Sequence, residues 1–85
     1  MIIVYDVSVK RVSKVCHFLR RYLNWIQNSV FEGDLTRSEL KRVEMELRNI
    51  LNLNEDSVVI YILHSKGALR RKYIGIKKAE PSTVI

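Results

Sequence analysis

The sequence predicts an α+β domain, because two continuous apolar runs alternate with two segments of helical periodicity. The runs are Ile2-Ile3-Val4-Tyr5 and residues 58–63, and both suit strands that are buried on both faces. A chain of 85 residues forms one small domain, with residues 79–85 expected as a loosely ordered tail. Because so small a chain buries a modest core, dimerisation is a natural way to complete it.

The first strand ends in a carboxylate, Asp6, and Ser8 and a basic segment follow directly. The carboxyl end of a central strand is where α/β sheets usually place chemistry. Asp6 is therefore a candidate site residue. The competing interpretation is that Asp6 only ends the strand and caps the next segment.

Residues 8–23 predict the first helix, with Ser8 as N-cap. Its buried stripe consists of Val12, Val15, Cys16, Leu19, Tyr22 and Leu23. Lys10, Lys14, His17 and Arg21 form a second, polar stripe opposite it. Cations on the first turn of a helix interact unfavourably with the helix dipole. Their presence here indicates either that an anion binds at this turn or that this is simply a solvated face.

The middle of the chain predicts a bent strand and a second helix. Residues 25–32 are rich in aromatic and β-branched residues, and the polar step at 27–29 indicates a bend or a split into two strands. Thr36 and Glu39 fit a capping box that starts the second helix. After the run 58–63, a basic loop at 64–72 leads to a last strand at 73–77.

This order of elements matches the ferredoxin-like βαββαβ plan, with both helices on one face of the sheet. The last strand is then an extra one. An extra strand at a sheet edge is suited to pairing with another subunit.

The charge distribution predicts a polyanionic partner. The chain has a net charge of +6 and a pI near 9.8, and residues 7–23 and 64–78 contain cations but no acids. Nucleic acid, DNA or single-stranded RNA, is the leading candidate. The predicted nucleic-acid contacts are Lys10, Arg11, Lys14, Arg21, Arg70, Arg71 and Lys72.

Other features narrow the class of protein. The sequence contains no Gly-rich phosphate loop, no paired-cysteine zinc spacing and no HExxH motif. A single cysteine, no apparent signal peptide and no segment long enough to span a membrane predict a cytoplasmic protein.

Several segments together resemble the CRISPR-associated Cas-two family. They are Val4-Tyr5-Asp6-Val7, Phe18-Leu19, the stretch 27–36 with Ser-Val-Phe-Glu-Gly, Asp56-Ser57-Val58 and Ile74-Gly75. The resemblance implies a ferredoxin-like homodimer in which the C-terminal strand is exchanged between subunits. It also implies a role in acquiring new CRISPR spacers, with this protein bridging two dimers of the Cas-one integrase.

The resemblance further implies a Mg²⁺-dependent endonuclease, with Mn²⁺ as an alternative metal, acting on single-stranded RNA or double-stranded DNA. Asp6 of each subunit would be the metal ligand and catalytic residue, and the two copies would face each other across the dimer axis. Tyr5, Ser29 and Phe31 match positions linked to activity and are candidates for substrate contact or site support. The family commonly has a basic residue where Trp25 stands.

Two further hypotheses stay open at the level of sequence. The protein is alternatively a non-catalytic adaptor that holds DNA and the integrase together. A third, less favoured reading is an RNA-cleaving toxin built on the same fold.

Overall fold

The computed structural model describes residues 1–64 and 67–77, which form two helices packed on one five-stranded antiparallel sheet. The elements are β1 (Ile2–Asp6), α1 (Val9–Leu19), β2 (Asn24–Gln27), β3 (Val30–Glu32), α2 (Arg37–Ile50), β4 (Ser57–Leu63) and β5 (Leu69–Gly75). The strands lie in the order β2-β3-β1-β4-β5, so β1 is central. The predicted α+β class and ferredoxin-like plan are confirmed, with β5 added at one edge.

The first helix is shorter than the predicted segment 8–23. Ser8 is its N-cap as predicted, and its hydroxyl accepts a hydrogen bond from the Lys10 N–H. The helix ends at Leu19, because the following N–H groups of Arg21 and Tyr22 bond three residues back and tighten the chain into a turn. That turn leads the chain directly into the edge strand β2.

The predicted bend at 27–29 is a β-hairpin. Gln27 and Val30 pair across a two-residue turn, and Asn28 in this turn has φ of 42°. Asparagine tolerates the left-handed conformation better than most residues, because its side chain is short and polar. The pairing register also shifts between Trp25 and Gln27, where β2 contains one more residue than β3.

The second helix begins as the sequence predicts. The Thr36 hydroxyl accepts from the Glu39 N–H, and the Glu39 carboxylate accepts from the Thr36 N–H. This capping box satisfies two N–H groups at the helix start. Val43 and Leu47 are then buried against the sheet and the first helix.

The sheet has one covered face and one open face. Ile3, Tyr5, Val58 and Ile60 are buried beneath the helices, and the alternate residues of both strands are more exposed. The open face carries the side chains of Ile2, Val4, Asp6, Val30, Val59, Tyr61 and Tyr73. The prediction that β1 and β4 are buried on both faces is therefore wrong for a single chain.

The last strand is longer than predicted and begins earlier. Leu69–Gly75 pairs with β4 along its whole length, so residues 69–72 are strand and not part of the predicted basic loop. β5 thus lies in the sheet of its own chain, and its exchange with a partner stays a prediction. The predicted tail, residues 79–85, lies outside the described residues. Within the described ranges, neither helix is long and apolar enough to cross a membrane.

Candidate active site and basic surface

Asp6 lies at the end of the central strand, as predicted. It is exposed, and it is opposite Ser57 of β4 in the register of the sheet. Because side chains alternate along a strand, Asp6 shares the open face with Val4, whereas Tyr5 points under the helices. The candidate carboxylate is thus on the face of the sheet that no helix covers.

A second carboxylate, Asp56, fixes the chain just after Asp6. Asp56 is fully buried, and its oxygens accept backbone hydrogen bonds from Ser8 and Asn52, each 2.9 Å long. Its carbonyl oxygen accepts from the Ile76 N–H at 2.8 Å. Asp56 therefore joins the start of α1, the loop before β4 and the end of β5, all at the end of the sheet where Asp6 lies.

The positive charge of Arg11 at the start of α1 is neutralised by acidic side chains of the same chain. Arg11 forms ion pairs with Asp56, 2.5 Å from Nε to Oδ2, and with Glu55, 2.6 Å from Nη2 to Oε1. The Arg11 guanidinium is the main reason that the pKa of Asp56 falls to about 2, and two backbone N–H groups add to this effect. Because Arg11 is paired with acids of its own chain, the structure gives no support to a phosphate seat at this helix start, and a nucleic-acid contact by Arg11 stays a prediction.

Whether Asp6 can hold the predicted metal ion depends on which other ligands are available beside it. Among the residues that the structure describes, no three His, Cys, Asp or Glu side chains lie close enough together to hold a metal ion. One exposed carboxylate nevertheless suits Mg²⁺, which keeps several waters and is often held by one or two carboxylates plus substrate phosphate. The donor set fits Mg²⁺ or Mn²⁺ if a second subunit and the substrate complete it.

The other candidate site residues, Tyr5, Ser29 and Phe31, support the strand that ends in Asp6. Phe31 is fully buried and stacks on Tyr5 with 6.1 Å between ring centroids. Burial, with a smaller effect of Cys16, raises the pKa of Tyr5 to about 12, so its phenol stays protonated at neutral pH. Ser29 lies in the hairpin turn and its carbonyl accepts from the Tyr5 N–H. These positions indicate packing and positioning, and substrate contact by Phe31 is excluded in this conformation.

The basic stripe of α1 lines an open groove of about 560 Å³ between the two helices. Lys10, Lys14 and Arg21 lie in this groove together with His17, as the helical periodicity predicts. Its continuation toward the start of α2 adds Lys41 and Arg42, and Glu46 is shared by both parts. We call this surface the α1–α2 groove. It lies on the helical side of the molecule, opposite the open face that carries Asp6.

The predicted cluster of Arg70, Arg71 and Lys72 is divided between the two faces of the sheet. Lys72 faces the helices and forms an ion pair with Glu44 of α2, with 3.0 Å between Nζ and Oε1. Arg71 lies on the open face, 5.8 Å from the ring centroid of Tyr61. Because neighbouring side chains in a strand point in opposite directions, these three cations do not form one patch.

The structural role of Asp56 was not predicted from the sequence. In the sequence Asp56 belongs to a segment that carries the family resemblance, but its partner Arg11 is 45 positions away. The spacing of neighbouring residues in the sequence gives no indication of such a long-range ion pair. The α2 cations Lys41 and Arg42 were missed for the same reason, since their position beside α1 follows from helix packing.

The chain combines a ferredoxin-like sheet with a fifth strand, a carboxylate at the end of the central strand and a basic helical layer. Together these features define a narrow class of small α+β domains. A family model confirms the assignment within that class. The chain belongs to the family of CRISPR associated protein Cas2, whose model matches residues 1–71. The resemblance seen in the sequence is thereby confirmed.

Individual relatives agree with the family match. The chain is 54% identical to CRISPR-associated endoribonuclease Cas2 2 of Archaeoglobus fulgidus, over 92% of this chain and 85% of the relative. It is 50% identical to CRISPR-associated endoribonuclease Cas2 of Pyrococcus furiosus, over 92% of this chain and 89% of the relative. A solved structure described as the crystal structure of cas2 superposes with a TM-score of 0.63 at 35% identity, covering 93% of this chain and 77% of that one.

Proposed function

We propose that this chain is a metal-dependent endonuclease of CRISPR adaptation that hydrolyses phosphodiester bonds, with single-stranded RNA as first substrate and double-stranded DNA as the alternative. The observation that carries the proposal is the exposed Asp6 at the end of the central strand, on the open face. The names of the relatives, which call them endoribonucleases, support the same activity.

The active unit in this proposal is a homodimer formed through the open face. Val4, Val59 and Tyr61 give this face an apolar centre that stays partly exposed in one chain. Packing two such faces together would bury apolar surface that an 85-residue domain cannot cover alone. Asp6 would then lie at the interface, so each subunit would supply one carboxylate.

Asp6 is the residue that would hold Mg²⁺, with its symmetry-related copy as the second protein ligand. When bound there, such an ion would supply a water of lowered pKa and would offset negative charge on the scissile phosphate. The protein positions this carboxylate through Asp56, which anchors the backbone of Ser8 two residues beyond it.

The test compares Asp6→Asn with Asp34→Asn on labelled single-stranded RNA and duplex DNA in the presence of Mg²⁺. Both aspartates are exposed, and Asp34 follows β3 at the opposite end of the sheet, so it is a matched control. We expect Asp6→Asn to abolish cleavage and Asp34→Asn to leave it intact, and chelation by EDTA to have the effect of the first variant. Cleavage by Asp6→Asn at the wild-type rate refutes the catalytic role of Asp6.

A second candidate function is a DNA-binding adaptor that bridges dimers of the Cas-one integrase without cutting. The position of the α1–α2 groove favours it, because the groove lies on the side of the molecule away from Asp6. In such an adaptor, DNA binding and spacer acquisition survive Asp6→Asn. They are lost when Lys10, Lys14 and Arg21 are replaced together by alanine.

A further inference from the structure

Trp25 on the edge strand β2 is a large aromatic residue held in place while exposed. Half of its surface, 50%, is open to solvent. Its indole N–H donates to the carbonyl oxygen of Asn28 at 3.0 Å, and the Arg20 guanidinium carbon lies 5.5 Å from the ring centroid. Because the single polar atom of the indole is already bonded, the exposed part of the side chain is apolar ring surface.

Trp25 lies outside the hydrophobic core of the domain. The core lies between the sheet and the helices, and Phe31, which pairs with Trp25 in the sheet, is fully buried there while Trp25 is not. The next residue, Ile26, is also 46% exposed. Exposed apolar surface on an edge strand promotes unwanted pairing unless a partner covers it.

Positive charge adjoins the exposed ring on the side of α1. Arg20 contacts it directly, and Arg21, the next residue, lines the α1–α2 groove together with Lys14. Residues 7–23, which include all of α1, contain no acid. The C-terminal end of α1 thus carries one cation on the ring, Arg20, and one in the groove, Arg21, and the chain continues from there into β2 and Trp25.

We infer that Trp25 is a base-stacking platform for a single-stranded nucleic acid whose backbone is held by the α1–α2 groove. A base in a single strand can place its face on an aromatic ring, and cations beside the ring add to the attraction. Bases inside a duplex are already stacked on each other and cannot do so. The inference rests on the proposed function in one respect, that the ligand is a nucleic acid.

The experiment uses intrinsic fluorescence, because Trp25 is the only tryptophan of the chain. The protein carries Asp6→Asn and the buffer contains EDTA, so that no cleavage occurs during the titration. The probes are oligouridylate RNA, oligodeoxyuridylate DNA, which carries the same base, and a blunt duplex, each of about twelve nucleotides or base pairs. We expect quenching by one or both single strands and none by the duplex, and the stronger of the two single strands identifies the preferred sugar.

Variants separate stacking from general charge attraction, with binding measured by the anisotropy of a labelled single strand. We expect Trp25→Ala to weaken this binding about tenfold, or 1.4 kcal/mol, and Trp25→Phe to keep most of the affinity. Leu63→Ala is the control, since Leu63 is 69% exposed and lies on β4, which two strands separate from β2 in the sheet. It leaves the affinity unchanged.

Two results overturn the inference. One is binding of the single strand without any change in the Trp25 fluorescence. The other is an equal loss of affinity for single strand and duplex in Trp25→Ala. Neither result depends on cleavage, so the stacking role and the catalytic role of Asp6 fail separately.

Discussion

The Arg11 guanidinium and the Asp56 carboxylate form a two-point ion pair, 2.5 Å from Nε to Oδ2 and 3.1 Å from Nη2 to Oδ1. Asp56 is fully buried, and the side chain of Arg11 is 19% exposed. This geometry matches the planar fork of an arginine, which a lysine lacks. The pair therefore holds the start of the first helix against the loop before β4. This helix start follows closely after Asp6 in the chain.

Breaking this pair should destabilise the fold. In Arg11→Ala the Asp56 carboxylate stays buried without its cation, and we expect a loss of about 3 kcal/mol in the free energy of unfolding. Lys14→Ala, on the solvent side of the same helix, should change it by less than about 0.5 kcal/mol. Urea denaturation followed by circular dichroism measures both. Equal stability of the two variants would contradict the structural role of Asp56.

The same pair predicts how stability depends on pH. The pKa of Asp56 is lowered from 3.8 to about 2 in the folded state, chiefly by Arg11. A lowered pKa stabilises the fold fully above the unfolded value, and this contribution is lost as the pH falls from 3.8 toward 2. Arg11→Gln removes the cause, so its free energy of unfolding should fall less over this window than that of the wild type. Parallel curves for the two proteins would show that Asp56 does not titrate in this way.

Gly75 should not tolerate a side chain. Its φ is +83°, and a Cβ atom there would lie 2.1 Å from the carbonyl oxygen of Asp56. Gly67 has nearly the same φ, +80°, but open space around it. We expect Gly67→Ala to cost about 1 kcal/mol from backbone strain alone, and Gly75→Ala about 3 kcal/mol or more because the chain must also move. Thermal unfolding of the two variants tests this, and equal melting temperatures would refute the close contact.

The sequence predicted features that are encoded locally. The capping box of Thr36 and Glu39, the Ser8 cap and the strand that ends in Asp6 each follow from residues a few positions apart. The hairpin at Asn28 was visible as a polar step, but a polar step alone does not distinguish a bulge from a turn.

Features that depend on distant contacts could not be predicted. The Arg11–Asp56 pair joins segments 45 residues apart, so both side chains looked like ordinary charges in the sequence. Lys72 was grouped with its neighbours as a basic cluster, because the extent of β5 and the nearness of Glu44 depend on strand pairing and helix packing. The apolar runs suggested burial on both faces, which one chain does not provide.

Dimerisation through the open face has a direct test. Val59 is half-buried on this face, between the strands that carry Val4 and Tyr73. We expect Val59→Lys to give a folded monomer, since two lysines would oppose each other in an apolar interface. Met45→Lys, at a residue 66% exposed on the second helix, should leave the dimer intact. Sedimentation velocity distinguishes the two states, and a dimer of Val59→Lys would place the interface elsewhere.

Salt dependence tests whether the α1–α2 groove holds phosphates. Each cation that contacts a phosphate releases counterions, so replacing it should reduce the slope of log affinity against log salt by about 0.7 for a single strand. We expect this reduction for Lys14→Ala and Arg21→Ala. Lys72→Ala is the control, because its ammonium is already paired with Glu44 at 3.0 Å. The measurement is anisotropy of a labelled strand at several salt concentrations. If the slope fell by the full amount for Lys72→Ala and not at all for Lys14→Ala, the nucleic acid would lie on the edge strand β5 and not in the groove.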